Sequence, residues 1–129
     1  MLKKIYNEVT REWDSSVEEA LKSFIRLPAL SPDFDKKWEE NGVLLKALEE
    51  AKAWAEKQGI KGLRCEIIKD DGFTPCLFIE VDATSDKKFE RSVFFYGHLD
   101  KQPPNEGWDP DKSAWEPRSE ERRVGKECR

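Results

Sequence analysis

From Trp13 onward, apolar side chains recur three and four residues apart. Trp13, Val17, Ala20, Leu21, Phe24 and Ile25 form one stripe, with Glu12, Glu18, Glu19 and Lys22 on the other side. That spacing predicts an amphipathic helix whose stripe packs in a core. Pro28 ends it, because proline has no N–H to continue the ladder. Residues 27–32 (LPALSP) then form a proline-bracketed turn with no chemistry of their own. A second helix is expected to begin near Asp33 or Asp35, either of which can cap it. Its broad apolar face comprises Trp38, Leu44, Leu45, Leu48, Ala51, Trp54 and Ala55, and Gly59 supplies its stop. Gly42 lies inside that helix, at a cost of about 1 kcal/mol relative to alanine.

Downstream the period changes from that of a helix to that of a strand. Leu63, Cys65 and Ile67 alternate with Arg64 and Glu66, the pattern of a half-exposed strand, and Asp70-Asp71-Gly72 is turn chemistry. Residues 76–81 are nearly continuous in apolar and β-branched side chains, which predicts a more deeply buried strand. Asp86-Lys87-Lys88 makes another turn before a third β-rich run, Val93, Phe94, Phe95 and Tyr96. Two amphipathic helices followed by about three strands is the opening of an α/β layered fold, in which sites gather at the carboxyl ends of strands.

The third run carries the most specific chemistry. It ends at Gly97, followed by the only histidine in the chain, His98, and by Asp100 two residues on. In extended backbone, side chains at i and i+2 point the same way, so His98 and Asp100 project to one side while Leu99 turns inward. Asp100 can then accept from one imidazole nitrogen and leave the other for a metal, the arrangement that orients a histidine ligand. Gly97 leaves room for a close backbone approach, and Pro103-Pro104 stops the strand. The plain alternative is a strand-end histidine bonded to a neighbouring carboxylate for structural reasons alone.

The wider segment, Tyr96-Gly97-His98-Leu99-Asp100 followed by Gln102-Pro103-Pro104 and Gly107-Trp108-Asp109, resembles the di-zinc metallopeptidase family of carnosine dipeptidases, acetylornithine deacetylase and succinyl-diaminopimelate desuccinylase. The likeness is to the dipeptidase-type branch, covers roughly residues 10 to 117, and is most specific from Tyr96 to Trp108. It implies that the chain is the N-terminal part of a zinc-peptidase-like α/β sandwich. It also implies that His98 ligates one zinc of a pair and that Asp100 is the catalytic-site carboxylate that orients it. The family's valine after that aspartate is Lys101 here, a departure expected at the rim of the site. In such enzymes a water shared by two zinc ions attacks an amide carbonyl, with a glutamate as general base. The implied substrates are dipeptides or N-acyl amino acids, and the implied full-length form is a homodimer through a lid domain.

Composition narrows the picture. The 129 residues carry a net charge of −4, are 39% charged and 37% hydrophobic, and suit one domain at most. The acidic balance argues against a nucleic-acid partner, which calls for a basic excess. No apolar run approaches the roughly 18 residues of a membrane span, and the N-terminus has no apolar signal region, so a cytoplasmic protein is expected. Cys65, Cys76 and Cys128 are too few and too scattered for a disulfide framework or a zinc knuckle. Asp109, Asp111, Ser113 and Glu120 mimic a calcium loop, but Ala114 stands where its sharp turn needs glycine, and Pro110 and Pro117 interrupt it.

Residues 118–129 (RSEERRVGKECR) depart from the family, whose strand pair and bridging aspartate should follow at this point. They read as a charged tail foreign to residues 1–117, too polar to join a core. With no second histidine, the chain cannot complete the three- or four-ligand sphere that holds zinc tightly. The expectation is a metallopeptidase whose present fragment is inactive alone. Two other classes stay open. One is a small non-catalytic α/β interaction domain presenting Trp108 and Trp115. The other is a different hydrolase using Asp100 or Glu106 as a base.

Overall fold

The first helical stripe does form a helix, and it starts earlier than its apolar spacing suggests. The computed structural model describes residues 1–83 and 91–118. In it α1 spans Leu2–Glu12, a π-helical turn covers Trp13–Val17, and α2 runs Glu18–Arg26, so the helix stops just before Leu27-Pro28. The π turn adds a residue to one turn and rotates the stripe. Val17, Ala20, Phe24 and Ile25 are half-buried, whereas Trp13 and Leu21 stay exposed, as do Leu2, Ile5, Tyr6 and Val9 on α1. Surface ion pairs lace the polar side. Lys22 reaches Glu18 (2.8 Å) and Glu19 (2.9 Å), and these hydrogen bonds hold its ammonium above the usual lysine value.

The chain divides into two units, Met1–Arg26 with Asn105–Arg129, and Leu27–Pro104. Within the first, the described loop carries Lys112–Asp109 (2.9 Å) and Arg118–Asp111 (2.8 Å) pairs, and Glu116 lies 3.5 Å from Arg26. Apart from Arg118, the tail expected at 118–129 lies outside the described residues, as does Glu120 of the calcium-like spacing. The turn expected at Asp86-Lys87-Lys88 lies outside them too.

In the second unit the single helix expected from Asp33 or Asp35 to Gly59 is two helices. The first, α3, is one turn, Trp38–Asn41, and α4 runs Val43–Glu56. Gly42 is the break rather than an interior cost. At φ +67 it takes the left-handed conformation that ends α3, and its carbonyl accepts from Lys46 N–H (3.0 Å) as α4 begins. Asp35 acts just ahead of the break. Its carboxylate accepts from Lys37 N–H (2.9 Å) and from the Asn41 amide, whose own oxygen accepts from Val43 N–H (3.0 Å). The amphipathic face of α4 buries Leu44, Ala47 and Leu48, while Trp54 stays on the surface.

Strand β1, Leu63–Ile68, pairs antiparallel with β2, Cys76–Val81, with Cys65 opposite Ile79 and Ile67 opposite Leu77. The turn between them closes where Asp70-Asp71-Gly72 predicts, with Phe73 N–H donating to the Asp70 carbonyl (3.1 Å). β1 alternates half-buried and exposed side chains as expected, and α4 packs against both strands. The deeper burial expected of β2 is not found. Only Leu77 is half-buried. Phe78 lies on the face that nothing among the described residues covers, whereas Ile79 and Val81 share the face of Leu77 but stay exposed, because α4 packs mainly on β1. Cys65 and Cys76 are free thiols. The described architecture is therefore a small α/β unit of helices with a two-stranded antiparallel sheet.

Gly62 opens β1 under tight constraint. Its φ is +77, and a Cβ there would stand 2.8 Å from Asp82 Cβ. Asp82 in turn donates its N–H to the Gly62 carbonyl (3.1 Å) and takes Arg64 Nη1 on both carboxylate oxygens (3.0 Å each). Gly62→Ala is expected to destabilise the unit by about 1–3 kcal/mol through left-handed strain and that clash. Urea unfolding checks it, and an unchanged midpoint would contradict the constraint.

Candidate functional site

The third strand expected at residues 93–96 is not formed. Among the described residues those four pair with no strand, and their side chains are 79–86% exposed. A run of Val, Phe, Phe and Tyr suits a strand covered on both faces with neighbours on both edges. Among the described residues the sheet has two strands, and residues 93–96 join neither. Nor does Gly97 serve a close approach: its φ is ordinary, and a Cβ there would meet nothing within 4 Å.

The segment that follows is nevertheless anchored, by a different partner. Lys101 forms an isolated parallel bridge with Leu30. Its N–H donates to the Ala29 carbonyl (2.8 Å), and its carbonyl accepts from Ser31 N–H (2.9 Å). Its ammonium also donates to the Leu27 carbonyl at 2.6 Å. Leu27 is buried and Ala29 is 0% exposed, so these are interior contacts of the Leu27–Pro104 unit. Burial pushes the Lys101 ammonium below the usual lysine value. Lys101 thus ties the end of the site segment to residues 27–31, which act as a strap behind it.

Directly before this anchor the structure brings the two expected site residues together. His98 Nδ1 lies 3.0 Å from Asp100 Oδ1 and 3.1 Å from the Asp100 carbonyl oxygen. Both partners accept hydrogen bonds, so the neutral ring carries its proton on Nδ1 and keeps its lone pair on Nε2. That is the tautomer a metal-ligating histidine needs. Leu99 between them is half-buried. The ring itself is largely exposed, with 70% of its side-chain surface accessible against 38% for Asp100.

His98 and Asp100 line a groove of about 690 Å³, with Leu44 and Leu48 of α4 among its apolar lining and Ser31 and Asp33 among its polar lining. Asp33, expected as a helix cap, is instead a groove residue, and sequence patterning gives no sign of that. An imidazole with an orienting carboxylate suits one position of a zinc site. Among the described residues no group of three or more His, Cys, Asp or Glu side chains is arranged to hold a metal ion, so this part of the chain does not complete a coordination sphere. No helix among the described residues is long and apolar enough to cross a membrane. Set against known proteins, the chain matches no family model and no curated protein.

Proposed function

We propose that residues 1–117 are the N-terminal part of the catalytic domain of a cytoplasmic metallopeptidase or amidohydrolase with a paired zinc site, acting on dipeptides or N-acyl amino acids. The observation that supports this reading most is the His98 ring tied through Nδ1 to Asp100 at 3.0 Å, at the edge of a groove with both apolar and acidic lining. In this reading His98 is one zinc ligand through Nε2, and Asp100 is the carboxylate that fixes its tautomer and raises its basicity. When bound, the zinc pair supplies a polarised water for attack on an amide carbonyl. Leu44 and Leu48 give the apolar part of a substrate a surface to lie on, and the exposed ring stands open to further ligands. Those ligands and the glutamate base come from sequence beyond residue 117, which also builds the rest of an α/β sandwich and the lid of a homodimer.

The 129-residue polypeptide is accordingly inactive by itself. Purified and supplied with zinc, it is expected to hydrolyse no member of a dipeptide and N-acyl amino acid panel. The same residues 1–117, expressed with the continuation of their own reading frame in the source gene, are expected to hydrolyse at least one. Activity of the short chain overturns the dependence on further ligands. Inactivity of a folded, zinc-loaded continuation overturns the enzyme reading.

A non-catalytic interaction domain is the second reading, and the exposure of residues 93–96 and of Trp108 favours it. Trp115, half-buried, contributes less to such a surface than its sequence position suggests. Retained partner capture after His98→Ala, with no zinc bound by either form, is the result that selects this reading.

A further inference from the structure

We infer that Lys101 is a positioning residue for the His98–Asp100 pair, acting through a strap formed by residues 27–31. The inference rests on the reading of that pair as a metal-ligand site and adds the element that fixes it in place. Three hydrogen bonds converge from one residue: Lys101 N–H to the Ala29 carbonyl (2.8 Å), Ser31 N–H to the Lys101 carbonyl (2.9 Å), and Nζ to the Leu27 carbonyl (2.6 Å). The two backbone bonds set the direction of the chain leaving Asp100. The side-chain bond reaches two residues further back along the strap and resists rotation about the first two. Leu27 and Ala29 are buried, so the acceptors are fixed points.

Among the described residues nothing of comparable strength holds this segment from its N-terminal side. Residues 93–96 are exposed and unpaired among the described residues, and Gly97 touches nothing that a Cβ would meet. The geometry of Nδ1 against Asp100 Oδ1 therefore depends on its C-terminal anchor. A valine, which the resembling family carries here, offers the two backbone bonds and no third. In this chain the ammonium supplies a restraint from the side chain, and its burial is the cost of doing so.

The single histidine makes the test direct, since one imidazole gives one set of ring signals. Long-range proton–nitrogen spectra of the uniformly labelled 129-residue chain are expected to show the Nδ1–H tautomer. Lys101→Met keeps the length of the side chain and removes the donor. It is expected to return the ring to the mixed tautomers of a free imidazole and to speed amide exchange at Ser31 and residue 101 roughly fivefold to tenfold, the worth of one hydrogen bond. Exchange of the β1 and β2 amides should not move, which separates loss of positioning from loss of fold. Lys101→Arg, which retains a donor, is expected to restore the tautomer.

A folded Lys101→Met chain that keeps the Nδ1–H signature overturns the inference and leaves the His98–Asp100 pair standing. A wild-type chain without that signature overturns the pair itself, and with it the metallopeptidase reading. Should Lys101→Met fail to fold, the wild-type Lys101 ammonium decides: exchange slowed by the bond to Leu27 supports the inference, and exchange as fast as that of surface lysines overturns it.

Discussion

Leu48→Ala is expected to destabilise the Leu27–Pro104 unit by about 2–3 kcal/mol, the low end of the range for a buried leucine. Leu48 is 8% exposed and belongs to the small buried set of Leu27, Ala29, Leu44, Ala47 and Leu48. It also lines the groove beside His98, so water and neighbouring side chains can enter the space that truncation leaves. A sealed cavity would put the cost higher. The effect is still large against a total stability of about 5–15 kcal/mol for a typical domain. For a unit of this size it corresponds to a fall in Tm of roughly 10 °C or more. Thermal and urea unfolding of the pure chain measure it, with half-buried Leu45→Ala as the milder comparison. Equal losses at the two positions would mean that α4 does not rest on the face described.

Where local pattern and packing agree, the elements were legible from the amino-acid order. The alternation of Leu63, Cys65 and Ile67 reports a strand with one covered face, and β1 has that burial. The Asp70-Asp71-Gly72 turn and the limits of β2 follow from turn chemistry bounding a β-rich run. Gly42 misled because a helical stripe on both sides of a glycine looks the same whether the glycine is tolerated or breaks the helix. The difference lies in Asp35 and Asn41, whose side chains take over the hydrogen bonds at the break. The π turn at Trp13–Val17 has no sequence mark at all, since one extra residue per turn rotates a stripe without ending it.

The burial of β2 and the strand at residues 93–96 show a different limit. Hydrophobicity states what a segment needs, whereas its neighbours decide what it receives. Four consecutive β-formers need partners on both edges, and among the described residues they have none. At the site, the i, i+2 spacing of His98 and Asp100 showed which carboxylate is within reach of the ring nitrogen, because the two residues are neighbours in the chain. Lys101 was not readable in the same way. Its acceptor lies 74 residues earlier, and no local rule connects a lysine after an H-x-D motif to a carbonyl before a proline.

In the complete domain of the proposed enzyme, Asp100→Asn is expected to weaken zinc binding by about 10- to 100-fold, the usual cost of losing the partner that orients a ligating histidine. Two effects add. The carboxamide has no charge with which to raise the basicity of the ring. If its NH2 group faces Nδ1, it also drives the proton to Nε2 and removes the lone pair that binds metal. Asp100→Ala is expected to cost less than Asp100→Asn in that orientation, because the residue 100 carbonyl, 3.1 Å from Nδ1, still accepts the ring proton. His98→Ala removes the ligand and is expected to cost more than either. Zinc titration against a competing chelator ranks the three variants. Affinity rising in the order His98→Ala, Asp100→Asn, Asp100→Ala is the signature of an oriented ligand. Zinc affinity unchanged by Asp100→Asn would mean that the 3.0 Å contact holds a surface histidine in place and does nothing for a metal.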